Sequence, residues 1–267
     1  MKLRPVGGIV LRQLYLMRSS PIRVIPMFAW VVVDIVLWGF IARYLNSIGN
    51  SGIDFTAQLL GAVLFWDFFT RIMQGVTVAF LEDVWSRNFL NLFAAPLLIS
   101  EYVCGLVITS IGTSAFGLLA MLILATSIFG LSFFPLGALL IPIVGLLFVF
   151  GLALGILASA MVLRWGPASE WLIWPIPALL APFAGVFYPI ATLPTWMQTV
   201  AAALPPSYVF EALRSALAGR PVATDSLLWG GTLALAQVVL SAAVFGYVHR
   251  YVVRSGLLAR YSAENVA

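Results

Sequence analysis

The sequence predicts an all-α polytopic membrane protein: six transmembrane helices, an N-terminal amphipathic interface helix and short outer helices that re-enter the bilayer. Three observations carry that expectation. Residues 102–163 contain no Asp, Glu, Lys or Arg, and a helix of that length crosses a hydrocarbon layer of about 30 Å twice. Hydrophobic residues make up 62% of the chain and charged residues 9%, with a mean hydropathy of +1.06, far from the soluble average. The apolar segments do not alternate with polar residues, as the strands of a membrane barrel would.

The elements follow in chain order. Residues 4–20, RPVGGIVLRQLYLMRSS, set Arg12 and Arg18 among Val, Leu and Tyr. This suits an amphipathic helix in the cytoplasmic interface with its arginines near the headgroups. The apolar part that follows is too long for a signal peptide, and no small-x-small cleavage site follows it, so it reads as a retained span. The first span covers 24–45 and contains Asp34; the second covers 55–80 and contains Asp67 and Arg71. The third and fourth, 102–129 and 137–163, are parted by Gly130, Pro135 and Gly137. The fifth, 171–188, is interrupted by Pro175, Pro177 and Pro182, and the sixth is 226–248.

Two connections are more than loops. Segment 81–101, LEDVWSRNFLNLFAAPLLISE, starts acidic, spaces Trp85, Phe89 and Leu92 by four and three, and then meets Pro96. It reads as a short amphipathic helix over 81–96, with Glu82 and Asp83 at a start favoured by the helix dipole. Amphipathicity leaves open whether its apolar face rests on lipid or on a partner. Segment 189–225 is too apolar for a solvated loop and too interrupted for a span. Pro194 and the Pro205–Pro206 pair divide it into helices over 195–204 and 207–218, with Gly219 as the stop. Re-entrant backbone of this kind is tolerated where protein buries it or water reaches it.

Charge placement sets the topology. Lys2, Arg4, Arg12, Arg18, Arg23, Arg87, Arg164, Arg250, Arg254 and Arg260 fall on one side of a six-span arrangement, and Arg43, Arg214 and Arg220 on the other. The richer side is cytoplasmic by the positive-inside rule, which puts both termini there in a cytoplasmic membrane. The net charge of +4 is thus a topology signal and not one for nucleic acid. Lys2 is the only lysine, which argues against a P-loop in this chain. One Cys (Cys104) and one His (His249) permit neither an internal disulfide nor a multi-histidine metal site.

The polar residues inside spans are the functional candidates. Asp67, Thr70, Arg71 and Gln74 fall at i, i+3, i+4 and i+7, on one helical face. A lone charge at mid-bilayer costs about 2.5–3.5 kcal/mol on insertion scales, so this face should avoid lipid. A self-satisfied Asp67–Arg71 pair is one reading; a pathway wall or subunit interface is the other, and the extra polar residues favour it. Asp34 answers Arg71 or sits in a polar interface. Glu211 and Arg214 are placed for a local salt bridge, and Tyr208 and Phe210 for packing. Gly151 and Gly155 permit close helix approach. The tryptophans that flank the spans fit aromatic belts. An ion-coupled secondary transporter using Asp34 and Asp67 is the main alternative, although no internal repeat is visible. An intramembrane enzyme lacks a nucleophile–base pair.

The layout resembles the permeases of ABC-2 type ABC exporters. The stretches that carry the resemblance are FLEDVWSRNFLNLFAAPLLISEYVCG (80–105) and FYPIATLPTWMQTVAAALPPSYVFEALR (187–214). Pro205–Pro206 stands where the family usually has Asn-Pro, and Trp85-Ser86-Arg87-Asn88 where an acidic-Gly-Thr run is common. The resemblance implies a permease dimer in lipid, working with separate ATPase subunits that bind ATP and Mg; it implies no cofactor in this chain and no nucleic acid. Segment 81–96 would be the coupling helix, with Glu82, Asp83, Trp85, Arg87, Asn88, Phe89 and Leu92 at the ATPase contact and Arg12 flanking it. Pro194, Trp196, Pro205, Tyr208, Phe210, Glu211 and Arg214 would belong to the outer gate. Spans one, two and five would line the route, which puts Asp34, Asp67, Thr70, Arg71 and Gln74 on the pathway or the dimer interface. An amphiphilic, lipid-linked, drug-like or polymeric substrate is expected.

Overall fold

A computed structural model describes residues 3–48, 55–86, 92 and 95–257, apart from the side chains of 21–24, 26–28, 134 and 135. The described residues form helices and turns without strands. The N-terminal helix α1 is Leu3–Ser19, and α2 is Pro21–Ile48. A π-helical turn, Thr56–Leu60, runs directly into α3, Gly61–Trp85. Helix α4 is Ile99–Phe129 and α5 is Leu140–Trp165, the latter preceded by a 3-10 turn at Phe134–Leu139. Short helices follow: α6 (Glu170–Ile173), α7 (Ile176–Ala184), α8 (Thr195–Ala201) and α9 (Pro205–Leu217). Helix α10, Thr224–Arg254, closes the described chain.

Among the described residues, five helical stretches are long and apolar enough to cross a membrane: Ala29–Ile48, Thr56–Trp85, Ile99–Phe129, Leu136–Trp165 and Thr224–Arg254. The expected fifth span, 171–188, is interrupted as its prolines predict: it consists of two short helices, α6 and α7, neither of them long enough to cross a membrane by itself. Pro175, Pro177 and Pro182 remove backbone donors along it, and Gly185 (φ 60°) ends it in the left-handed region. The expected hairpin break appears between α4 and α5. Gly130 turns left-handed (φ 67°), its N–H still reaching Thr126 O at 3.0 Å, and Thr126 Oγ1 donates to Leu131 O at 3.0 Å.

Helix α3 is the centre of the molecule. Phe65, Phe69, Ile72, Met73 and Phe80 along it are all fully buried, because α4 packs on one side and α5 on another. Small residues set these distances. A Cβ on Gly151 of α5 would lie 2.9 Å from Ile72 Cβ, and one on Gly155 would lie 2.9 Å from Met73 O. On the α4 side, a Cβ on Gly75 would meet Ser110 Oγ at 2.6 Å. Close backbones then share polar bonds: Thr77 Oγ1 donates to Met73 O and Gly155 O (2.9 and 3.3 Å), and Ser110 Oγ donates to Ile72 O (3.2 Å). Phe69 and Phe150 stack across the α3–α5 seam at 5.2 Å between ring centroids. Helix α10 lies along α5, and α1 packs on α4, burying Val6, Ile9 and Gln13. Leu11, Leu14 and Tyr15 on the other face of α1 are exposed, as an interface helix requires.

Candidate functional site: a cavity along α3

The stripe read from the sequence is longer than four residues. Asp67, Thr70, Arg71 and Gln74 all line one cavity of about 530 Å³, and Gly75, Val78, Ala79 and Glu82 continue it along the same face of α3. On a straight helix the distance from Asp67 to Glu82 is about 22 Å. Asp34 and Trp30 of α2 form a second wall, and Thr109, Ser110 and Thr113 of α4 a third. Gln13 and Met17 of α1 also line it, as does Trp174 from the break between α6 and α7. Of these residues, sequence reasoning pointed to Asp34, Asp67, Thr70, Arg71 and Gln74, and to Glu82 only as part of a partner contact, not to Gly75, Val78 or Ala79. It missed Gln13, Trp30, Trp174 and the α4 hydroxyls. Trp30 stands four residues before Asp34, a spacing that carried a usable signal; Gln13 and the α4 residues join the site only through tertiary packing.

Asp67 and Arg71 form the expected pair, Arg71 Nε donating to Asp67 Oδ2 at 2.7 Å. Asp34 shares the cavity with Arg71 but makes no hydrogen bond or salt bridge among the described residues. The hydroxyls of the wall turn their protons inward to their own helices: Thr70 to Trp66 O at 3.0 Å, Thr109 to Gly105 O at 3.0 Å and Thr113 to Thr109 O at 3.2 Å. What remains toward the cavity from each is oxygen lone pairs.

A second cluster stands at the end where α1, α3 and α4 meet. Asp83 is buried. It accepts two hydrogen bonds from the Arg12 guanidinium, from Nη1 at 3.0 Å and from Nη2, and one from Tyr102 Oη at 2.7 Å. Burial works against the Arg12 charge, but the hydrogen bonds and charge of Asp83 outweigh it and hold the guanidinium above its ordinary value. This corrects two expectations. The helix expected to begin at residue 81 does not do so: α3 continues unbroken through Trp85. Glu82 and Asp83 therefore sit at the C-terminal end of a helix, where the dipole disfavours acids, and Arg12 and Tyr102 compensate Asp83. Asp83 is also no surface docking residue, being enclosed by its own chain. Leu92 likewise packs against the chain's own core, in the cluster that contains Phe80 and Tyr102, while Trp85 is exposed. Arg87, Asn88 and Phe89 lie outside the described residues. Next to this cluster, Glu101 caps the start of α4 by accepting the Leu98 N–H at 3.3 Å.

At the opposite end, α8 and α9 form a compact cap; α8 stops three residues short of the expected 195–204, and α9 starts two residues before the expected 207–218 and ends one residue before its close. Pro194 precedes α8 and Pro205 opens α9, where its missing N–H is harmless. Glu211 and Arg214 pair at 2.9 Å, but the pair also fastens α9 to the turn after α7. Glu211 Oε1 accepts the Ile190 N–H at 2.8 Å, and Arg214 Nη1 donates to Gly185 O at 2.7 Å. Tyr208 Oη donates to Ala202 O at 2.7 Å. Phe210 is fully buried beside Trp66, and exposed Trp196 meets Phe183 edge-on at 6.0 Å.

The family described as ABC-2 type transporter matches residues 20–218 of this chain. That range takes in the α2, α3 and α4 walls of the cavity and the whole of the α8–α9 cap. No curated protein matches the chain.

Proposed function

The chain belongs to the ABC-2 type transporter family, and from that membership we propose that it is the permease of an exporter whose ATP is hydrolysed by a separate subunit. Two permease copies pair in the cytoplasmic membrane with both termini inside. The cargo is an amphiphilic, lipid-linked, drug-like or polymeric molecule. ATP and Mg belong to the partner subunit.

The observation that carries this reading is the cavity along α3. A self-satisfied ion pair needs Asp67 and Arg71 alone. A wall that continues through Gln74 to Glu82 suits a route from the depth of the bilayer to one surface. Helix α3 also suggests how the route is driven. It is continuous from the cavity to Trp85, so a push on segment 81–96 is delivered along a rigid element into the cavity wall. The Arg12–Asp83–Tyr102 cluster transmits the same push to α1 and α4. The cap formed by α8 and α9, fastened by Glu211 and Arg214, acts as the outer gate.

Trp85 and Phe89, four residues apart, form the apolar contact with the ATPase. Phe89→Asp abolishes ATP-dependent transport and co-purification with the ATPase subunit while leaving membrane insertion and the melting temperature unchanged. Transport that survives this change contradicts the coupling assignment.

A further inference from the structure

The chemistry of the cavity wall defines a class of ligand. Asp34 and Asp67 face it from two helices, and Arg71 is the one basic side chain among the described residues that line it. The Arg71 Nε is directed to Asp67. Asp34 sits in a membrane-crossing stretch with no hydrogen bond or salt bridge among the described residues; Arg71 acts on both Asp34 and Asp67, and one guanidinium against two carboxylates leaves room for a second cation. Trp30, one helical turn before Asp34 on the same wall, offers an aromatic face of the kind that attracts cations. The Thr109 and Thr113 hydroxyls have given their protons to backbone carbonyls, so the α4 wall presents acceptors. Gln13 supplies an independent sign of an occupant. It is 3% exposed, lines the same cavity, and its Nε2 has no hydrogen-bond partner among the described residues.

We propose that this cavity binds an amphiphile bearing a protonated amine. The ammonium is held by Asp34 and the acceptor oxygens of α4. The apolar body lies along Val78 and Ala79, and Gln13 Nε2 donates to an oxygen of the same ligand. The inference deepens the pathway reading above and rests on it.

The test uses the full-length permease in lipid nanodiscs and two probes with one fluorophore: N-dansylcadaverine, which carries an amine, and dansyl-aminohexanoate, which carries a carboxylate. Empty nanodiscs give the lipid background. The expected result is saturable binding of the amine, about tenfold or more tighter than the carboxylate. Asp34→Asn weakens amine binding about tenfold, and Asp34→Glu retains most of it. Equal binding of the two probes, or preference for the carboxylate, overturns the proposal, as does a folded Asp34→Asn variant with unchanged amine affinity. If Asp34→Asn fails to fold, the wild-type comparison of the two probes decides alone. Failure of the pathway reading would look different: amine binding would depend on Asp34, yet the ATPase cycle would leave the cavity's accessibility unchanged.

Discussion

Asp83 shows how one side chain ties three elements together. A carboxylate enclosed by protein is stable only when its hydrogen-bonding capacity is filled. Here Arg12 from α1 and Tyr102 from α4 fill it. Asp83→Ala leaves a half-buried guanidinium without its partner and is expected to destabilise the permease by about 2–4 kcal/mol. Tyr102→Phe, which removes one hydrogen bond and keeps the ring, is expected to cost about 1–2 kcal/mol. Denaturation in detergent followed by circular dichroism measures both. Because the residues touch, the Arg12→Ala/Asp83→Ala double variant should lose clearly less than the sum of the single losses; strict additivity would show that the contact does not hold the helices. The sequence offered Arg12 and Asp83 only as separate candidates at a partner surface. Their pairing spans two elements far apart along the chain, so no local pattern announces it.

At the scale of elements, Gly151 and Gly155 on α5 decide how near α3 can come. Gly155→Val or Gly151→Leu forces side-chain atoms into Met73 O or Ile72, and overpacking of this kind costs about 1–3 kcal/mol. The same change at Gly145, where a Cβ meets nothing within 4 Å, is expected to be nearly neutral; the difference in melting temperature between the two sites reads out the seam. Long helices were legible because their signal is local: apolar length, helix-breaking Gly130, and the polar face of Asp67, Thr70, Arg71 and Gln74. The end of α3 was not legible in this way. Glu82 and Asp83 look like the acidic start of a helix, yet α3 absorbs them as its last turn, since a partner at Arg12 offsets the unfavourable dipole. The interruption of 171–188 was legible from Pro175, Pro177 and Pro182, since a missing backbone donor is a local property; the bounds of α6 and α7 were not.

At the scale of the whole molecule, the chain is a membrane component of the ABC-2 family, and its central helix carries a largely apolar cavity with a stripe of polar side chains along one side. The account holds that a partner's ATP cycle opens and closes this cavity. Site-directed labelling tests it without knowledge of the cargo. In a Cys104→Ser background, Gln74→Cys places the permease's only thiol on the cavity wall, and a membrane-impermeant maleimide is added to the permease–ATPase complex from the cytoplasmic side, with labelling read on the permease. The account predicts rapid labelling without nucleotide and labelling slowed about tenfold or more when ATP and vanadate trap the closed ATPase. Labelling that proceeds at the same rate in both states would contradict it.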